Sequence, residues 1–256
     1  MVVVSLLAGL FAFWRKGKEE HYDEMMLFDG LLLSFVFGTV LARAVFIGLN
    51  FSQFGWNVLA WFDLISNPGF NLMALYLGSA LYLFRYAKVK KWDTYEILDF
   101  WSLGAGVSLV FLWLGYWLAG INFGTATTLP WGMIFDGLFE PHHPVQLYYA
   151  LFFIALSWYL AWAEFKYRTF RWYRGHKNTA QSGFLISMLM IATGIFSFAM
   201  IFITISPTTF GLRLDALASL ALLAGGLVML YQRSGHDWFS RKNRRQFNSL
   251  NSLKIS

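Results

Sequence analysis

The sequence predicts an all-α, polytopic integral membrane protein with seven transmembrane helices, its N-terminus outside and its C-terminus cytoplasmic. Three observations lead there. The 256 residues are 57% hydrophobic and only 13% charged, against about 25% charged in a soluble domain. Apolar runs approaching or exceeding the roughly 20 residues needed to cross a bilayer recur along the chain. The loops between them alternate in their content of Lys and Arg, and cytoplasmic loops are the basic ones.

Taken in order, residues 1–14 form a short apolar run. It reaches only about 21 Å at 1.5 Å per residue, against roughly 30 Å of hydrocarbon. No basic region precedes it and no small-residue cleavage site follows it, so it reads as a short or tilted span rather than a signal-peptide core. Loop 15–24 carries Arg15, Lys16 and Lys18. The second run covers 25–49, and loop 50–66 holds no Lys or Arg. The third covers 67–86 and leads into Arg85, Lys88, Lys90 and Lys91. The fourth covers 97–121, and loop 122–144 again holds no Lys or Arg. The fifth covers 145–165, before Lys166, Arg168, Arg171, Arg174 and Lys177. The sixth and seventh runs, 183–205 and 214–232, flank loop 206–213 with its single Arg213. A basic, polar tail occupies 233–256 and suits anionic lipid headgroups on the cytoplasmic side. The organisation is one membrane domain over 1–232, with external loops 50–66, 122–144 and 206–213, and that tail.

The formal charge of +6 is accounted for by these topology-setting loops, so no nucleic-acid partner is expected. The chain has no cysteine, which excludes disulfides, thiolate nucleophiles and cysteine metal sites. No internal repeat and no charged midplane helices point to a transporter.

Few polar groups fall at membrane depth, and these are the candidates for chemistry. Arg43 lies about seven residues inside the outer end of its span. A guanidinium there either binds a lipid phosphate in a fork geometry or snorkels to the outer headgroups. His142 and His143 are adjacent, which suits no single metal ion, and no Asp, Glu or Cys stands at ligand spacing. Pro144 fits a helix first turn, which places His143 at the N-cap. Its imidazole can accept a proton near neutral pH, or it serves with Tyr148 and Tyr149 as an interfacial anchor. The loop "TATTLPWGMIFDG" (125–137) either covers a site with Trp131 or forms a buried re-entrant turn.

These residues stand in an order that resembles the prolipoprotein diacylglyceryl transferase family (Lgt). Leu129-Pro130-Trp131-Gly132 matches its L-P-W-G loop, and His143-Pro144-Val145-Gln146-Leu147-Tyr148 matches H-P-[ST]-Q-L-Y. "LARAVFIGLNFSQF" places Arg43 on a family arginine, and "YEILDFWSLG" places Asp99 on a family aspartate. The likeness runs from about 22 to 232. It implies an Lgt-like seven-span fold in a bacterial cytoplasmic membrane. It also implies transfer of a diacylglyceryl group from phosphatidylglycerol to a lipobox cysteine, with a prolipoprotein signal segment as partner and no cofactor or metal. His143 becomes the candidate base and Arg43 the headgroup ligand, with Gln146, Tyr148 and Trp131 binding substrate around one outward-opening cavity.

The sequence departs from the family pattern at its charged positions. Family arginines fall on Trp113, Thr125 and Ser197, glutamates on Ile121, Tyr149 and Ile201, asparagines on Tyr116 and Ala119, and a histidine on Asn71 or Leu72. Two readings follow: a divergent transferase, or a non-catalytic lipid- or lipoprotein-binding relative.

Overall fold

The computed structural model describes residues 1–167, 181–205 and 213–233. The basic stretch 168–177, most of loop 206–213 and the tail from 234 lie outside the described residues. Nine helices are described: α1 (Val2–Glu19), α2 (Glu24–Leu49), α3 (Phe51–Phe54), α4 (Val58–Phe62), α5 (Leu72–Lys90), α6 (Thr94–Leu118), α7 (Val145–Tyr167), α8 (Phe184–Met200) and α9 (Leu214–Arg233). No strand is present among the described residues, only isolated bridges.

Four of the helices, α2, α6, α7 and α9, are long and apolar enough to cross a membrane, and α8 is a shorter apolar helix of 17 residues. The other two long helices carry their basic ends as helix. Lys16 and Lys18 close α1, and Lys88 and Lys90 close α5. The apolar run at the N-terminus therefore continues as helix to Glu19, beyond the expected residue 14. The run expected from residue 67 begins as helix only at Leu72, because Asn71 takes the N-cap and its side chain accepts the Ala74 N–H.

α6 is the centre of the bundle. It packs on α1 and α7 and also touches α5 and α8, while α2 pairs with α5 and α8 with α9. Its contact with α1 is a close backbone approach. A Cβ on Gly104 would come within 2.7 Å of the Gly9 carbonyl oxygen, and one on Gly9 within 2.9 Å of the Gly104 oxygen. Small residues serve where apolar helices gain little from burial and rely on contact. Ser5 and Ser108 join the same two helices by a hydroxyl contact of 2.8 Å, extended by the Tyr76 hydroxyl of α5 at 2.8 Å. These groups line a cavity of about 140 Å³ between α1, α2, α5 and α6.

Two buried acids tie the helices at the opposite end. Asp99 of α6 is fully buried and accepts the backbone N–H groups of Gly183 at 2.7 Å and Ile186 at 3.0 Å. A carboxylate there satisfies otherwise orphan donors at the start of α8. Glu164 of α7 is buried and pairs with Lys16 of α1 at 2.6 Å.

Candidate functional site at the start of α7

The segment before α7 is held by backbone pairing on both sides. The Gly124 N–H donates to the His143 carbonyl at 2.9 Å, and the His143 N–H to the Thr125 carbonyl at 3.0 Å. His142 exchanges two such bonds with Met133, at 2.8 and 3.0 Å. Thr125 in turn donates its N–H to the Ile203 carbonyl at 2.8 Å, which fastens the mat to the end of α8. Gly, Thr and Pro in 124–144 prevent a helix and permit this compact fold instead.

The two histidines separate by role. The His142 Nδ1 lies 2.8 Å from the Gly124 carbonyl oxygen. A carbonyl only accepts, so this ring holds its proton on Nδ1 and acts as a structural tie. His143 instead meets the Tyr148 hydroxyl, 3.3 Å from Nδ1. The same hydroxyl accepts the Trp131 indole N–H at 2.8 Å. Trp131, Tyr148 and His143 thus form one chain, drawn from the L-P-W-G loop, the second turn of α7 and its entry. Trp131 is 55% exposed, so the chain lies at the surface of loop 122–144.

Gln146 is fully buried in the first turn of α7 and donates from Nε2 to the Ile121 carbonyl at 2.7 Å. Its Oε1 has no hydrogen-bond partner among the described residues, and a buried acceptor without a donor is costly and rare.

Arg43 is placed apart from this group. It is 8% exposed and donates from Nε to the Trp61 carbonyl at 2.9 Å and from Nη1 to Asn67 at 2.9 Å and Gly69 at 3.0 Å. Nη2 donates to Ala60 at 3.4 Å and Asp63 at 3.3 Å. All five guanidinium N–H groups are engaged by carbonyls of α4 and the loop after it. The rings of Phe46, Phe54 and Phe70 surround it, with centroids 5.7, 5.2 and 6.0 Å from the guanidinium carbon. No hydrogen bond among the described residues links Arg43 to His143, Gln146, Tyr148 or Trp131. The structure links three of the five expected residues, His143, Tyr148 and Trp131; Gln146 shares the first turns of α7 but is held to the Ile121 carbonyl, and Arg43 has a loop-binding role.

Sequence reasoning passed over a second group. Trp113 of α6 and Tyr149 of α7 stack at 4.1 Å, and Tyr149 meets Phe196 of α8 edge-on at 5.1 Å. No local pattern announces this cluster, although the run of aromatics "LYYALFF" signals that α7 has rings to place on more than one side.

The family model of prolipoprotein diacylglyceryl transferase matches residues 1–232. Among curated proteins, the phosphatidylglycerol–prolipoprotein diacylglyceryl transferase of Clostridium tetani is 26% identical over 233 residues, covering 77% of this chain and 90% of that protein. The second such transferase of Clostridium perfringens is 25% identical over 245 residues, covering 90% and 87%. That of Wolbachia pipientis wMel is 30% identical over 185 residues, covering 66% of each. With the match extending over most of the chain and the apolar helices in place, the protein is an integral multi-pass membrane protein and belongs to the prolipoprotein diacylglyceryl transferase family.

Proposed function

We propose that the protein is a phosphatidylglycerol–prolipoprotein diacylglyceryl transferase of a bacterial cytoplasmic membrane, with its site on the outer face at the entry to α7. The observation that carries the reading is the Trp131–Tyr148–His143 chain, built from the two motifs that resemble the family. Seven spans with the N-terminus outside put this chain on the side where secreted preproteins emerge, in keeping with the basic loops on the other side.

In the reaction, a lipobox thiol loses its proton, its sulfur attacks the glyceryl carbon of the lipid, and the carbon–oxygen bond to the phosphate breaks. The products are a thioether and glycerol phosphate, whose charge needs donors nearby. His143 is the base. With Nδ1–H donating to Tyr148, Nε2 keeps its lone pair for the thiol proton. Gln146 Oε1 receives a hydroxyl or amide donor of the substrate. Arg43 acts on a lipid phosphate only by releasing one of its five carbonyls, so its contribution to headgroup binding is indirect in this conformation.

One observation favours a second reading, a non-catalytic lipid- or lipoprotein-binding relative. Of the positions that carry charge in the family pattern, 113 and 149 are here a stacked aromatic pair and 197 is a serine. The assay that decides is glycerol-phosphate release in detergent with phosphatidylglycerol and a lipobox peptide. Release above the blank, lowered about 10²–10⁴-fold by His143→Ala as expected for loss of a general base, supports the transferase. Retention of lipid without release supports the binding relative, and release untouched by His143→Ala removes His143 from the base role.

A further inference from the structure

The loop joining α2 to α5 carries its large apolar side chains outward. Trp56 is 83% exposed, Leu59 84%, Phe62 80% and Ile65 94%. A cluster of this kind marks a surface that something covers. The backbone beneath it is irregular. Only the short helices α3 and α4 lie between Asn50 and Asn71, so many carbonyls have no helical partner. Irregular backbone at membrane depth is tolerated only where its polar groups are satisfied by protein or water.

Arg43 supplies that satisfaction. Its five N–H groups draw the carbonyls of Ala60, Trp61, Asp63, Asn67 and Gly69 inward to one buried point. The loop is folded around a cation whose donors face the backbone, and the apolar side chains are turned to the other side. The structure assigns to residues 51–70 the role of an apolar foot seated in the outer leaflet of the bilayer, with Arg43 as the latch that folds it.

Three further facts select lipid as the occupant. The foot is continuous with the lipid-facing surface of the helices on either side, since Leu49 at the end of α2 and Leu77 early in α5 are exposed apolar residues. Two tryptophans, Trp56 and Trp61, stand in the loop, as at a membrane interface. Residues 50–66 hold no Lys or Arg, so the loop meets the leaflet through its apolar side chains and not through headgroup phosphates. This role is independent of whether the site at α7 is catalytic.

The absence of cysteine makes the test clean. Single spin labels are placed through Leu59→Cys, Ile65→Cys and, as an exposed control, Asp136→Cys, in full-length protein reconstituted into phosphatidylglycerol-containing vesicles. At 59 and 65, collisions with oxygen should exceed those with a water-soluble nickel complex, and at 136 the order should reverse. Nickel access at 59 and 65 equal to that at 136 overturns the seating in lipid. Dipolar broadening between labels on separate copies also overturns it, because the patch is then an interface between chains.

The latch is tested by the same labels in Arg43→Lys, which keeps the charge but has three donors instead of five. The oxygen preference at 59 and 65 should be lost. Its retention in a folded Arg43→Lys protein overturns the latch. If that variant fails to fold, Gly69→Ala tests the latch from the loop side with Arg43 intact, and unchanged oxygen preference there overturns it equally.

Discussion

The rings of Trp113 and Tyr149 lie face to face, with centroids 4.1 Å apart and planes 5° from parallel. They come from α6 and α7, and Phe196 of α8 closes on Tyr149 from a third side. The resemblance places family charges at 113, 149 and 197, positions far apart in sequence that the fold brings together. At 113 and 149 this chain carries a neutral aromatic stack where the family pattern has charge. Restoring a single member should fail. Trp113→Arg puts an unpaired cation at a half-buried position of an apolar helix, expected to cost about 2.5–3.5 kcal/mol. The pair Trp113→Arg with Tyr149→Glu should recover part of this loss. Thermal melts of the purified variants in detergent measure it, and identical melts for the single and double variants would remove the coupling.

Gly69 is required by both conformation and space. Its φ of +149° is a region L side chains rarely adopt, and a Cβ would come within 2.2 Å of the Phe46 ring. That ring is one of the three around Arg43. Gly69→Ala should therefore destabilise by about 1–3 kcal/mol, the range for a strained backbone position, and loosen the loop between α4 and α5. Limited proteolysis within 51–70 reads this directly, and unchanged cleavage would show that the loop adapts.

How much of this was legible in the sequence follows the range of the interactions. Helix positions follow from apolar run length, a local property, and agree within five residues at every end. Two of the five-residue differences have local chemical causes: Asn71 delays α5, and α1 continues through its lysines to Glu19. His143, Tyr148, Gln146 and Trp131 are candidates because motif spacing puts three of them on one helix entry. Arg43 stands out in the sequence as a cation at membrane depth, read as a headgroup ligand or a snorkelling residue, and its carbonyl partners are not foreseeable from it. Five carbonyls 17 to 26 residues away can be assigned only once the loop is folded. The Trp113 stack was missed for the same reason.

Tyr148 offers a graded test of the site. Tyr148→Phe keeps the ring and removes the hydroxyl that joins His143 to Trp131. Loss of a neutral hydrogen bond of about 0.5–1.5 kcal/mol predicts a drop in rate of roughly two- to tenfold. This is well short of the loss expected for His143→Ala. A Tyr148→Phe protein as slow as His143→Ala would mean that the tyrosine hydroxyl itself takes part in proton transfer.

Topology is open to direct measurement. Reporter fusions after Tyr173 and after Phe239 should read cytoplasmic, and fusions within 125–137 external, because the Lys and Arg residues cluster on the opposite side from that loop. A cytoplasmic signal from 125–137 would invert the whole arrangement and place His143 away from emerging preproteins.

The acid response of the foot follows from Asp63. Its carboxylate accepts the N–H groups of Ser66 at 2.9 Å and Ile65 at 3.1 Å. These bonds, that of Ser66 foremost, hold its pKa below the ordinary value, with the nearby Arg43 charge adding to the effect. A carboxylate with a depressed pKa contributes order above its unfolded value, here 3.8, and loses it as the pH falls through the lower folded value. The turn at 63–66 should thus stay ordered from neutral pH down to about pH 4 and loosen only below it. Asp63→Ala should show a looser turn at every pH and no transition in the acid range. The line shape of a spin label at Ile65→Cys in vesicles reports both. Loosening between pH 7 and 5 would show that a group other than Asp63 controls the loop.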